Sequence, residues 1–318
     1  GIAKADMLIH GGDPDNMQFG DTLSDDKFKG YQFDYCISNP PFGIDWKREA
    51  PIVEAEYKKG DAGRFGPGLP SKSDGQMLFL LNGVKKLKDT GRMAIIQNGS
   101  SLFTGDAGSG PSKIRQYLIE NDWLDAIIRL PGNSFYNTGI ATYIWIVTKN
   151  KPVERVGRVQ LIDASKCYEP RRKAIGNKRV DITDVCRELI VRAYGEYHDE
   201  TYTIQTSEGQ HTICKSKVLD SVTFGCNKVV VESPLLNEDG TKVLKRGKPV
   251  ADASKRDTVD VPLDMDIDEY MKKEILPFNP DAWVDTSKTK VKYEIPFTRV
   301  FYEYTPIEPA DKIARRIE

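Results

Sequence analysis

Asn39-Pro40-Pro41-Phe42 brings together the groups needed to alkylate an aromatic amine. Such an amine is a poor nucleophile because its lone pair is delocalised into the ring. Two acceptors on its two N–H bonds favour a more tetrahedral nitrogen and stabilise the charge that develops in the transition state. The side-chain carbonyl of Asn39 is one such acceptor. The backbone carbonyl of Pro40 is the second, held in place by two prolines that fix φ. Phe42 adds a flat apolar face on which a base can stack, worth about 1–3 kcal/mol. A base within a duplex must be flipped out to reach such a pocket. The same four residues also suit a Pro-Pro turn that ends a strand, with Phe42 as ordinary core. The enzymatic interpretation fails if the Asn39 amide is packed away from any cavity.

The tetrad needs a strand to display it. Phe33 through Ser38 reads as a buried strand that ends at Asn39. Upstream, residues 1–10 suggest a helix closed by Gly11-Gly12, and Met17-Gln18-Phe19 a short strand running into Gly20-Asp21-Thr22-Leu23. Residues 43–74 suggest a long active-site loop. Asp74 is placed to cap a helix bearing Met77, Leu78, Leu80, Leu81, Val84 and Leu87 at helical spacing, with Gly91 as its end. Strands are expected at Met93–Ile96, Leu124–Leu130, Ala141–Val147 and Val159–Asp163, and a helix at 112–121. This alternation implies an α/β domain with a largely parallel sheet and ligands at the carboxyl ends of its strands. Asp21 and Asn39 both fall there.

After about residue 165 the texture changes. Eleven Lys and Arg face six Asp and Glu across 151–195. Arg171, Arg172, Lys173, Lys178 and Arg179 are candidates for DNA phosphate contacts, or equally a solvated basic face. Residues 199–231 suggest small antiparallel strands, Asp239-Gly240 a hairpin turn, 264–275 a helix, and Pro309-Ala310-Asp311 the start of another. The expected division is a catalytic domain over 1–165 and a smaller mixed α+β region over 166–318.

Composition narrows the classes. The 318 residues are 39% apolar and 29% charged, with a net charge of −1. Global basicity therefore does not announce nucleic acid, and no apolar run is long enough for a membrane helix. Gly1-Ile2-Ala3-Lys4 suggests neither a signal peptide nor an initiator. Five cysteines without a CxxC pair and three scattered histidines point to reduced thiols, a cytoplasmic protein and no metal site. Asp25-Asp26 and Asp45 read as solvated loop carboxylates. Gly105 through Ser112 spaces its glycines like a phosphate loop, but Pro111 stands where that loop needs Lys. Trp46 and Trp145 read as packing residues. Arg64, in the long loop, is a further candidate for cofactor or DNA contact.

With these landmarks placed, the chain closely resembles the modification (methyltransferase) subunit of type I restriction-modification systems. The resemblance rests on Gly20 through Asp26 (GDTLSDD), Phe33 through Trp46 (FDYCISNPPFGIDW) and Gly63 through Asp74 (GRFGPGLPSKSD). It continues through Asn98 to Gly110 (NGSSLFTGDAGSG), Leu130 to Trp145 (LPGNSFYNTGIATYIW) and Tyr293 to Tyr302 (YEIPFTRVFY). It implies a Rossmann-like S-adenosylmethionine-dependent fold and methyl transfer to adenine N6 in double-stranded DNA. Asn39, Pro40, Pro41 and Phe42 would be catalytic. Asp21 and Leu23, with Asn39, would contact the cofactor, and Phe135 would complete an aromatic sandwich with Phe42. No covalent enzyme intermediate and no metal are expected. Partners would be a specificity (S) subunit, a restriction (R) subunit and a second copy of the modification subunit. The resemblance also implies that the family's cofactor loop and two sheet strands lie upstream of Gly1, which leaves the strand near Met17 without a neighbour and makes strand 33–38 an edge. A fragment truncated at both ends, which by itself binds cofactor weakly or not at all, is the expectation. Alternatives are methylation of a protein glutamine or an RNA base, and a non-catalytic module that docks the specificity subunit.

Overall fold

The computed structural model describes residues 1–206 and 209–304, with the side chains of 205–212 outside the description. Seven of the described strands form one sheet. They are β1 (Phe33–Ser38), β2 (Leu87–Asn98), β3 (Leu124–Arg129), β4 (Thr142–Thr148), β5 (Arg158–Asp163), β8 (Glu200–Thr206) and β9 (Gly209–Asp220), in the spatial order β1-β2-β4-β3-β5-β9-β8. The strands omitted from that series, β6 (Glu169–Ile175) and β7 (Lys178–Asp181), pair only with each other.

The sheet is mixed rather than largely parallel. β1 runs parallel to β2 and β3 parallel to β5, but β4 is antiparallel to both β2 and β3. The physical reason lies in the connection from β3 to β4, which contains no crossover helix. A strand that returns beside its predecessor without one must run antiparallel. The consequence for the site is that the carboxyl ends of β1, β2 and β3 and the start of β4 share one rim.

Alternation along the strands separates two cores. Ile127, Trp145 and Leu161 enter one core, while Ile128, Ile144, Ile146 and Ile162 enter the other. The first core is covered by α3 (Gln76–Lys85) and α5 (Gly110–Glu120), the second by α6 (Asp184–Glu196). α3 buries Met77, Leu78, Leu80, Leu81 and Val84. Its Gly83 lies so close to Met93 that an added Cβ would meet that side chain at 2.5 Å.

Several local expectations need correction. Met17–Phe19 forms no strand, because no neighbouring strand offers it a ladder, and Phe19 is exposed. β1 is the sheet edge, as the upstream position of two family strands implies, but its side chains are not buried: Tyr35 is 78% and Ile37 89% exposed. Gly91 lies inside β2, and α3 ends earlier, at Lys85. The stretch 43–74 contains helix α2 (Ala50–Tyr57), which buries only Ala50 and Val53 and so has a weak apolar stripe. β9 pairs with β5, so strands from beyond residue 165 extend the sheet. The helix expected from Pro309 lies outside the described residues.

A second sheet forms around β10 (Gly225–Glu232), flanked by the antiparallel segments Asp257–Pro262, Trp283–Val284 and Lys290–Tyr293. Tyr293, Ile295 and Phe297 carry it into the first core. Among the described residues no helix is long and apolar enough to cross a membrane.

Candidate active site

The rim formed by β1, β2 and the β3–β4 connection lines an open cavity of about 800 Å³. That lies within the roughly 300–1,000 Å³ range of small-molecule sites. Its lining includes Asn39, Pro40, Pro41 and Phe42 from the end of β1 and Asn98 from the end of β2. Phe135 and Tyr136 line it from the loop between β3 and β4. Asn39 is exposed at this cavity, Pro40 is buried beneath it, and Phe42 and Phe135 are each half-buried. The tetrad thus has a rigid base and an accessible amide. Phe42 and Phe135, 93 positions apart in the chain, are brought to one recess.

Asn98 and Tyr136 were not singled out individually by sequence reasoning. A usable signal for Asn98 was its place at the carboxyl end of the strand expected around Met93–Ile96, two residues beyond it. A buried polar network orients its side chain. The backbone N–H of Ser100 donates to Asn98 Oδ1 at 2.9 Å, which fixes the oxygen end of the amide. The backbone N–H of Asn98 donates to Gln76 Oε1 at 3.0 Å, which fixes the Gln76 amide in turn. Gln76 Nε2 then donates to Asn98 Oδ1 at 2.8 Å, with Asp74 Oδ2 and Ser100 Oγ also in reach at 2.8 and 2.7 Å. Gln76 is 1% exposed, so the network is sheltered from water.

The turn after Asn98 is fastened by Arg115, which is fully buried. It donates to the carbonyls of Tyr293 (2.6 Å), Ser101 (3.0 Å) and Thr104 (3.0 Å). Burial lowers its pKa to about 10, against the nearby charge of Glu294, which raises it. The guanidinium remains charged at neutral pH and ties the second sheet to the wall of the cavity.

Asp21 and Leu23 are elsewhere. Asp21 Oδ1 accepts from the N–H groups of Leu23 and Ser24, both at 2.8 Å, and its side chain lines a separate recess with Phe19, Arg48 and Ile52. Leu23 is buried in the first core. The loop is held by Arg64, which donates to the carbonyls of Thr22 (2.7 Å) and Leu23 (2.9 Å), to Asn82 Oδ1 (3.0 Å) and to Glu56. Arg64 is therefore a clamp between chain segments and has no donor left for cofactor or DNA. Asp26 pairs with Lys86 at 2.9 Å instead of standing free in solvent.

The basic hairpin β6–β7 abuts the cavity loop. The N–H of Asn177 donates to Tyr136 O at 2.8 Å and that of Arg179 to Asn133 O at 2.9 Å, and Lys178 Nζ stands 5.1 Å from the Tyr136 ring. Arg171 Nη1 reaches both oxygens of Asp181 (2.6 and 2.7 Å), and Lys178 reaches the same carboxylate at 3.1 Å. Arg172, Lys173 and Arg179 are exposed and have no carboxylate partner among the described residues.

Comparison with known proteins decides the family. The family model described as N-6 DNA Methylase matches residues 1–223. The chain belongs to the N-6 DNA methylase family. It is similar to the type I restriction enzyme MjaVII methylase subunit of Methanocaldococcus jannaschii, 31% identical over 58% of this chain and 33% of that protein. It is also similar to the HindI methylase subunit of Haemophilus influenzae, 26% identical over 70% and 46%. A solved type I methyltransferase subunit from Streptococcus thermophilus superposes with a TM-score of 0.54 at 28% identity, covering 68% of this chain and 41% of that one. The chain spans about a third of the length of the first curated relatives it matches. The α/β fold agrees with that of these methyltransferase subunits.

Proposed function

We propose that the complete protein is the modification subunit of a type I restriction-modification system. It methylates N6 of an adenine flipped out of double-stranded DNA, with S-adenosylmethionine as methyl donor. The observation that carries this proposal is the convergence of Asn39, Pro40, Phe42 and Phe135 on one cavity at the sheet rim. Asn39 Oδ1 and the Pro40 carbonyl accept the two N–H bonds of the amine, which directs its lone pair outward. Phe42 and Phe135 hold the base by stacking. The bound cofactor supplies an electrophilic methyl group whose sulfur leaves neutral. The proton lost by the alkylated amine passes to solvent.

One residue present has a free acceptor suited to such a cofactor. Asp21 Oδ2 has no partner among the described residues and is exposed. It is an acceptor fit for the amino group of an adenosine, with Asn39 as the other proposed contact; Leu23, buried with its N–H on Asp21 and its carbonyl on Arg64, supports the loop instead. Arg172, Lys173 and Arg179 are assigned to DNA phosphates, while Arg171 and Lys178 act through their shared Asp181. Specificity and restriction subunits and a second modification subunit are the proposed partners, by similarity to type I methylase subunits.

The test is Asn39→Ala in the complete subunit assembled with its partners, with labelled cofactor and DNA. Methyl transfer is expected to fall by at least ~10²-fold. The unfolding temperature should stay unchanged, since Asn39 is exposed. Undiminished turnover would reject the role. Mass spectrometry of the product distinguishes adenine from glutamine or an RNA base.

A further inference from the structure

We propose that Asn98 is a base-contacting residue whose amide N–H₂ donates to a ring nitrogen beside the reactive amine, N1 or N7 of the target adenine. This deepens the methylation proposal above and rests on it.

The inference starts from how the amide is held. Backbone donors, whose direction is unambiguous, fix both Gln76 Oε1 and Asn98 Oδ1. Asn98 Oδ1 further accepts from Gln76 Nε2 at 2.8 Å and Ser100 Oγ at 2.6 Å. The Ser100 backbone N–H can only donate, so a flipped amide would set its own N–H₂ against that donor and lose the bond. Its nitrogen has no partner among the described residues, and the residue is partly exposed and lines the cavity.

Position supplies the rest. β1 and β2 run parallel with Ser38 opposite Ile95, so Asn39 and Asn98 project from the same ends of neighbouring strands. The wall thus presents acceptors at Asn39 and Pro40 and a donor at Asn98. Adenine presents the complement along one edge: an amino donor flanked by an acceptor nitrogen. A 6-oxopurine places an acceptor where the wall already offers two, and leaves them unsatisfied. A role confined to capping the turn at Ser100 would use only the oxygen of Asn98.

The experiment uses the complete subunit with its partners and cofactor. Duplexes carry adenine, 7-deazaadenine or 1-deazaadenine at the target position. Asn98→Asp keeps an acceptor for Ser100 and replaces the donor, and Asn98→Ala serves as a second variant should the carboxylate disturb the turn. Each variant is compared with wild type on each duplex, so the intrinsic reactivity of the base cancels. On adenine, kcat/KM is expected to drop about 10- to 100-fold. On the duplex lacking the contacted nitrogen the drop should vanish: 1-deazaadenine if the contact is N1, 7-deazaadenine if it is N7. An equal drop on all three duplexes, or none on adenine, overturns the assignment. A wild-type subunit that is folded but does not methylate the adenine duplex sinks the parent proposal, and this one with it, before any variant is compared.

Discussion

Every N–H of the Arg64 guanidinium and its ε-nitrogen is spent inside the protein, on Glu56, Asn82 and two carbonyls of the 22–23 turn. A planar fork of five donors suits such a junction better than lysine would. Burial pushes the Glu56 carboxyl up, but the hydrogen bond and charge of Arg64 outweigh it, so the group lies below the ordinary glutamate value. The sign follows: a depressed folded-state pKa contributes stability above the unfolded value, about 4.3, which is lost as pH falls through the folded value. Thermal unfolding followed from pH 6 down to 3 should therefore fall less steeply in Glu56→Gln than in wild type. Parallel curves would show that the clamp does not couple to folding.

At the scale of elements, the notable contact is between the β6–β7 hairpin and the loop that carries Phe135 and Tyr136. Two backbone hydrogen bonds join them. Asn133 supports the loop at φ 56°, a left-handed conformation that Asn tolerates better than most residues. Gly176 adopts φ 59° at the hairpin turn, and an added Cβ would stand 2.5 Å from the Tyr136 carbonyl. Gly176→Ala therefore carries a left-handed penalty of about 1 kcal/mol and a clash with the loop. We expect DNA methylation to fall several-fold with only a few degrees' change in unfolding temperature. Full activity in this variant would show that the hairpin does not position the cavity wall.

Across the whole molecule, the net charge of −1 hides a local basic surface beside the cavity. If Arg172, Lys173 and Arg179 meet phosphates, replacing all three by Gln should flatten the dependence of log K on log salt. Each lost contact contributes about 0.9 to the slope. An unchanged slope would assign these side chains to solvent.

Much of this protein is written locally. The stiffness of Pro40-Pro41, the apolar faces of α3 and α5 and the apolar runs of β3 to β5 each depend on a few neighbouring residues. The sequence by itself therefore determined the tetrad, most strands and helices, the α/β class and the family resemblance. It misplaced features that depend on a neighbour in space: a strand at Met17 that does not form, β1 side chains that are exposed rather than buried, and an Arg64 whose partners are up to 42 positions away. Only the tertiary structure decided that β4 lies between β2 and β3, that Asn98 faces the cavity, and that Arg115 binds a carbonyl 178 positions distant. Local patterns are set by steric and solvation preferences within a few residues. Which distant groups satisfy one another is fixed only when burial leaves each polar atom a single available partner.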